Sequence, residues 1–313
     1  MNSDPLGTRT HRWQDWDLDT LLHLKQQSGL TTTLVVPARD EAATVGEVVG
    51  RVRAALMGTT ALLDEIVVID SDSSDDTFAV ATEAGAVVHR SREIRPDLGT
   101  HPGKGEAMWK SLFVTRGDLI VFMDADLVDW DTHFVPGLLG PLLAGADDGV
   151  ALVKGFHERT KGHDAGGSAS LEGGRVTELV ARPLIALEWP ELSWLVQPLA
   201  GEWSVRRDLF ERLSVPTGYA VELAALIDTV RLLGPGAIAQ VDLGRRAHRH
   251  QALSDLGSMA AQILAASSRR STGSAPDHVA LDQPRKVGEH IETLRREIPL
   301  LERPPAVALR TPA

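Results

Sequence analysis

No cysteine occurs in the 313 residues of this chain, which excludes disulfides and thiolate metal sites. No apolar run approaches the roughly 18 residues of a membrane-spanning helix. The stretch from Met1 to Trp16 is polar and lacks the basic-then-apolar pattern of a secretory signal, so a cytoplasmic protein is expected. Basic residues are outnumbered: 32 Lys and Arg against 43 Asp and Glu leave a formal charge of −11. That balance argues against nucleic-acid binding, which needs a basic face, and means that an anionic substrate must be met by a local basic pocket. There is no internal repeat of fixed period, and the G-x-x-x-x-G-K-[ST] spacing of a P-loop is missing. What is present is apolar material, 43% of the residues, enough to fill one large domain or two small ones.

From Thr33 onward, short apolar runs alternate with helical spacings. Leu34, Val35 and Val36 read as a buried strand that Pro37 ends, and Val45, Val48, Val49, Val52 and Leu56 share one face of a helix over 42–56. A strand at 65–69, a helix at 76–84, a strand at 86–88, a helix at 106–115 and a strand at 118–123 follow. Strands that are uniformly apolar and alternate with helices predict an α/β fold with a mostly parallel sheet covered on both faces. In such sheets ligands gather at the carboxyl ends of the strands. Beyond Asp126 the expected elements are a helix at 130–143, a strand at 150–154, a Gly/Ser-rich loop at 161–170, helices at 174–187 and 221–233, a strand at 237–243 and a helix at 255–270. The amphipathic stretch 16–24 should pack on the domain, and the Pro- and Arg-rich tail beyond Ser271 should be extended.

Three of these strand ends carry carboxylates: Asp40-Glu41, Asp70-Ser71-Asp72 and Asp124-Ala125-Asp126. Carboxylates gathered without basic partners repel one another, so a divalent cation or ribose hydroxyls are their natural ligands; each taken singly is also read as a turn or helix cap. In Asp124-Ala125-Asp126, alternate residues after a strand can direct one carboxylate to a ribose and the other to a metal-bound diphosphate. Pro102-Gly103-Lys104-Gly105-Glu106 opens a helix, where free backbone N–H groups and a lysine converge as a phosphate needs; the alternative is a glycine turn with a solvated lysine. Gly173-Gly174-Arg175-Val176-Thr177 is a second glycine-led helix start suited to an anion. Arg245-Arg246-Ala247-His248-Arg249-His250 places imidazoles and guanidiniums together, and a neutral histidine suits Mn²⁺ beside oxygen ligands. Glu222 opens a helix, where it either favours the helix dipole or binds a hydroxyl.

On these motifs, with Val35-Val36-Pro37-Ala38, Asp75-Asp76-Thr77, the block from Gly174 to Leu184, Gln197-Pro198-Leu199, Gly201-Glu202, Gly218-Tyr219 and Ala239-Gln240-Val241, the chain resembles the glucosyl-3-phosphoglycerate synthases. These are retaining glycosyltransferases of the GT-A fold, closely related to the mannosyl-3-phosphoglycerate synthases. The resemblance runs from about Thr33 to Leu264. It implies that Pro37, Ala38, Glu41, Ser71, Lys104, Asp124, Ala125 and Asp126 bind the nucleotide, and that Leu199, Tyr219 and Glu222 line the sugar pocket. Gly174, Arg175, Thr177 and His250 would hold the acceptor, and Asp126 and His248 a Mg²⁺ or Mn²⁺ ion, with Asp126, Glu222 and His248 as the catalytic set. The implied substrates are UDP-glucose, or a GDP-sugar, and D-3-phosphoglycerate, and the implied assembly is a homodimer. The corresponding division is an N-terminal extension at 1–30, a nucleotide-sugar-binding core at 31–155, an acceptor-binding and metal-completing region at 156–270 and a tail at 271–313. Two positions depart from the family pattern. Arg39-Asp40 stands where Leu-Asn is usual, and His250 where asparagine is frequent. A mannosyl transferase using GDP-mannose, a non-catalytic nucleotide-sugar-binding protein and a nucleotidyltransferase are the competing readings, the last lacking a glycine-rich pyrophosphate loop near the first strand.

Overall fold

The computed structural model describes residues 9–145, 149–160, 174–247 and 253–309. In chain order the elements are β1 (Thr10–Arg12), α1 (Leu18–Ser28), β2 (Thr32–Ala38), α2 (Val45–Leu56), β3 (Glu65–Asp70), α3 (Thr77–Glu83), β4 (Val87–Arg90), α4 (Lys104–Ser111) and β5 (Leu119–Phe122). There follow α5 (Phe134–Ala144), β6 (Leu152–Thr160), α6 (Arg182–Glu188), β7 (Trp203–Arg206), α7 (Arg207–Phe210), β8 (Val215–Pro216) and α8 (Val221–Leu233). The chain closes with β9 (Ile238–Ala247), α9 (Leu253–Thr272), β10 (His278–Val287), β11 (His290–Pro299) and β12 (Glu302–Arg303).

Eight strands form one sheet in the order β1-β9-β6-β7-β5-β2-β3-β4. All neighbours pair in parallel except β7, which runs antiparallel to both β5 and β6. The expected mostly parallel α/β architecture is therefore present, with one reversed strand that the hydrophobic pattern did not signal. Alternate residues of each strand feed two separate cores, as the pleat requires. Leu34 and Val36 pack with α2 and α5 on one face, whereas Val35 faces α4, α8 and α9 on the other. Each fully buried Val or Leu removed from water on these faces contributes roughly 1.5–3 kcal/mol, which explains why the central strands are apolar throughout.

The strand containing Pro37 runs on to Ala38 instead of ending at the proline. β5 pairs with β2 only as far as Val35, and Pro37 sits opposite Ile69 of β3. Proline lacks the N–H of a second ladder, so it is tolerated where one flank of the strand is already unpaired. The N-terminal residues are also more than a packed extension, because Thr10–Arg12 adds a strand in parallel to β9.

The tail beyond Ser271 is extended, and its strands are paired. β10 and β11 form an antiparallel hairpin, and β12 pairs with β8. Buried ion pairs lock this return. Arg270 of α9 contacts Asp228 at 2.6 Å and Glu302 at 2.8 Å, and Arg303 meets Glu106 of α4 at 2.6 Å, with both side chains under a tenth exposed. None of the described helices is long and apolar enough to cross a membrane.

Candidate active site

The carboxyl ends of β2, β3 and β5 lie side by side, because β2 pairs with both of the others. Most of the carboxylates there staple the turns. Asp40, held at φ 55°, accepts from Ser74 N at 2.7 Å, and its own N–H donates to Ser73 Oγ at 2.9 Å. Asp70 accepts from Ser73 N at 3.1 Å. Asp75 accepts from the Thr77 hydroxyl, and also from Ala42 N at 3.1 Å and Thr77 N at 3.0 Å. These hydrogen bonds hold the Asp40 and Asp75 carboxyls below the usual aspartate range. The backbone of Glu41 is tied to Thr77 Oγ1 at 2.8 Å and that of Ser71 to the Ala38 carbonyl at 2.8 Å. Pro37, Ala38, Glu41 and Ser71 thus form one rim, built by carboxylates acting as local caps and turns.

Asp124 and Asp126 leave the end of β5 half-buried, with Ala125 buried between them. Asp124 has a basic partner, which corrects the expectation of carboxylates without one. Lys104 Nζ contacts Asp124 Oδ1 at 2.5 Å and Glu222 Oε1 at 2.9 Å. Burial alone would push the Lys104 ammonium down, but the Asp124 and Glu222 carboxylates outweigh it and raise its pKa above the ordinary lysine value. Lys104 is therefore a fixed cation, and Glu222, 4% exposed, is a paired carboxylate and not merely a helix-dipole residue.

Glycines make this approach feasible. Gly103 has φ 129°, and a Cβ on it would sit 2.3 Å from the Thr217 carbonyl oxygen. A Cβ on Gly105 would sit even closer to the carbonyl of Pro216. α4 therefore starts flush against the backbone of 216–218, which brings Lys104 to Tyr219 and Glu222. The same contact overturns part of the sequence expectation. Gly105 N donates to the Gly218 carbonyl at 3.3 Å and Glu106 N to that of Thr217 at 2.9 Å. Those two N–H groups are spent on the protein, and the Lys104 side chain is what this helix start offers an anion.

Tyr219 is 45% exposed, and its N–H donates to Gln262 Oε1 at 2.9 Å. Leu199 is half-buried against the core that includes α8. In the glycine-led block, Gly174 is followed by the exposed Arg175 and the buried Thr177, and Thr177–Ala181 winds as a π-helical turn into α6. The predicted helix over 174–187 is thus broken in character at the residues singled out for the acceptor, in the manner of π-bulges elsewhere. Arg182 ties this turn to the site by donating to the Val196 carbonyl at 2.8 Å. Arg245 is exposed and contacts Glu158 at 3.3 Å. His248, His250 and the loop 161–170 lie outside the described residues. Among the described residues no three His, Asp or Glu side chains are gathered into a metal-holding group. Asp126 does offer a hard oxygen donor at the mouth of the site, which suits Mg²⁺ or Mn²⁺ completed by phosphate oxygens.

Sequence reasoning missed Lys154. It is 2% exposed in β6, donates to the Ala200 carbonyl at 2.5 Å and lies 5.7 Å from the centre of the Trp203 ring. Burial pushes its pKa down to about 8, against the pull of Glu222, Glu202 and Asp124 and with the push of Lys104. The available signal was a lysine closing an otherwise apolar strand, Val150-Ala151-Leu152-Val153-Lys154.

The chain matches the model of glycosyl transferase family 2 over residues 33–213. It is 42% identical over 310 residues to a glucosyl-3-phosphoglycerate synthase of Mycolicibacterium paratuberculosis, covering 97% of this chain and 92% of that one. The crystal structure of glucosyl-3-phosphoglycerate synthase from Mycobacterium tuberculosis in complex with Mn²⁺, UDP and glucosyl-3-phosphoglycerate matches with a TM-score of 0.81 at 41% identity, over 94% of this chain and 96% of that one. That of mannosyl-3-phosphoglycerate synthase from Rubrobacter xylanophilus matches with a TM-score of 0.87 at 37% identity, over 96% and 97%.

Proposed function

We propose, from the premise that this chain belongs to glycosyl transferase family 2 and within it to the glucosyl-3-phosphoglycerate synthases, that it transfers glucose from UDP-glucose to the 2-hydroxyl of D-3-phosphoglycerate with retention at the anomeric carbon. The observation that carries this reading is the Lys104 bridge between Asp124 and Glu222. It joins the residue proposed for the ribose to the residue proposed for the sugar, through a cation set where a diphosphate would pass. The relative of known structure holds Mn²⁺, UDP and glucosyl-3-phosphoglycerate together, the product-side set of this reaction.

In this reading, Pro37, Ala38, Glu41, Ser71 and Ala125 enclose the nucleotide, Asp124 holds the ribose and Lys104 the phosphate side. Leu199, Tyr219 and Glu222 line the sugar pocket, and Gly174, Arg175, Thr177 and His250 hold the acceptor. Asp126 and His248 hold Mg²⁺ or Mn²⁺, which supplies charge neutralisation on the departing diphosphate. Lys104 keeps its proton through the reaction and faces the charge that builds on the leaving group, where a preorganised cation counts most. Glu222, tied to Lys104, is a poor covalent nucleophile and a good acceptor for a sugar hydroxyl, so the acceptor attacks from the face the leaving group vacates, through an oxocarbenium-like state. Residues 31–155 supply the donor side and 156–270 the acceptor side. A cytoplasmic homodimer completes the reading.

Product analysis with UDP-glucose, GDP-glucose and GDP-mannose, each with 3-phosphoglycerate and with or without chelator, tests it. Glucosyl-3-phosphoglycerate from UDP-glucose, abolished by chelation, is expected. The second reading, mannosyl transfer from GDP-mannose, is favoured by the 0.87 TM-score to the mannosyl enzyme, and preferential mannosyl product would establish it instead.

A further inference from the structure

A side chain at Gly201 would displace the Asp124 carboxylate. A Cβ there would lie 2.2–2.6 Å from the atoms of the Asp124 carboxylate, so the segment ending at Gly201 rests directly on the carboxylate proposed to hold the ribose. Leu199, proposed to line the sugar pocket, is two residues away. The segment is a turn, with Ala200 N donating to the Gln197 carbonyl at 3.1 Å, and what fixes its position is β6. His157 N donates to Gln197 Oε1 at 3.2 Å, and Gln197 Nε2 donates back to the His157 carbonyl at 2.6 Å. Lys154 Nζ reaches the Ala200 carbonyl at 2.5 Å. Backbone pairing holds Lys154 itself in the middle of the sheet, opposite Trp203 on one side and Gln240 on the other.

A buried ammonium is costly unless it is paired or hydrogen-bonded, and the hydrogen bond Lys154 makes is to the turn, at the Ala200 carbonyl. It forms no ion pair with Asp124 or Glu222, although both carboxylates act on it electrostatically. We propose that Lys154 is a positioning residue for the donor sugar: by anchoring the Ala200 carbonyl, it sets the height of the 197–201 turn and hence the gap between Leu199 and Asp124 in which the hexose sits. The role rests on the donor-site assignment proposed above. Lys154 touches neither nucleotide nor metal in this scheme, so its effect falls on the sugar and not on the UDP moiety.

The test compares affinities for UDP and UDP-glucose, measured calorimetrically with Mn²⁺, in the wild type, Lys154→Met and Lys154→Gln. Met fills the stem volume without a donor; Gln keeps an N–H donor and is the safer replacement should Met fail to fold. UDP affinity should stay within about twofold in all three proteins, because Lys154 bonds to the turn backbone and not to a nucleotide-binding side chain. UDP-glucose affinity should fall at least tenfold in Lys154→Met, about 1.4 kcal/mol, with a parallel rise in the KM for UDP-glucose, and Lys154→Gln should fall between it and the wild type. An unchanged ratio of the two affinities in a folded variant overturns the proposal, as does an equal loss of both. Normal wild-type turnover of UDP-glucose alongside either result leaves the function reading standing, whereas a wild type that makes no glucosyl product overturns that reading and this one together.

Discussion

Lys104 Nζ lies 2.9 Å from Glu222 Oε1, which joins the first residue of α4 to the first turn of α8 inside the site. Neither helix would bring its charged residue inward alone. Gly103 and Gly105 let the two chain segments meet backbone to backbone, and the ion pair forms in the resulting gap, with Asp124 as the third member.

Removing the cation leaves two carboxylates facing each other with little water. Lys104→Met should therefore destabilise the protein by about 3–5 kcal/mol and reduce kcat at least 100-fold, in line with loss of a preorganised charge at the leaving group. Adding Glu222→Gln should recover part of the stability but none of the activity. Denaturant melts of both single variants and the double variant check this, and strictly additive stability losses would contradict the shared ion pair.

Asp126 and His248 are the residues proposed to hold the metal. Asp126→Ala and His248→Ala should each abolish Mn²⁺-stimulated transfer while leaving circular dichroism and thermal midpoint near the wild type. Titrating Mn²⁺ against turnover in each variant is the measurement. Rates near those of the wild type in either one would refute the assignment.

The tail is coupled to the site through Arg303, whose guanidinium donates to both Glu106 oxygens, at 2.6 and 2.7 Å, and to the Leu98 and Gly99 carbonyls. Arg303→Met leaves Glu106, two residues after Lys104, buried with only the more distant Lys110 at 3.8 Å as a cation, and should cost about 3 kcal/mol. Glu106→Gln with Arg303→Met should cost less than Arg303→Met alone. Equilibrium unfolding of the pair decides it.

The central strands were legible because they are buried on both faces and their residues are apolar without interruption, and the long α8 was legible from its spacing. β7 was not: Trp203-Ser204-Val205-Arg206 is short, and its partners come from distant parts of the chain. The β10–β11 hairpin gave no signal because its strands are held by each other's backbone more than by a core, and most of their side chains are exposed. In the site, Lys104, Asp124 and Glu222 each stood out as residues, yet their pairing depends on α4 meeting 216–218. The same meeting consumed the two N–H groups that local sequence suggested were free, and no nearby residue announces that.

Lys154 also makes stability depend on pH. Its pKa falls to about 8 in the fold, from 10.5 for an unburied lysine, so between those values the unfolded chain keeps a proton that the folded chain has lost. Stability contributed by this group therefore rises with pH across the window, and the penalty for burying the charge is fully present below about pH 8. Lys104, which also acts on it, is raised above the ordinary lysine range. Against Lys154→Met, the wild type should gain about 1–3 kcal/mol between pH 8 and pH 10. Denaturation midpoints of both proteins at pH 7, 8, 9 and 10 measure the difference. Parallel curves would mean that Lys154 enters the fold with an ordinary pKa.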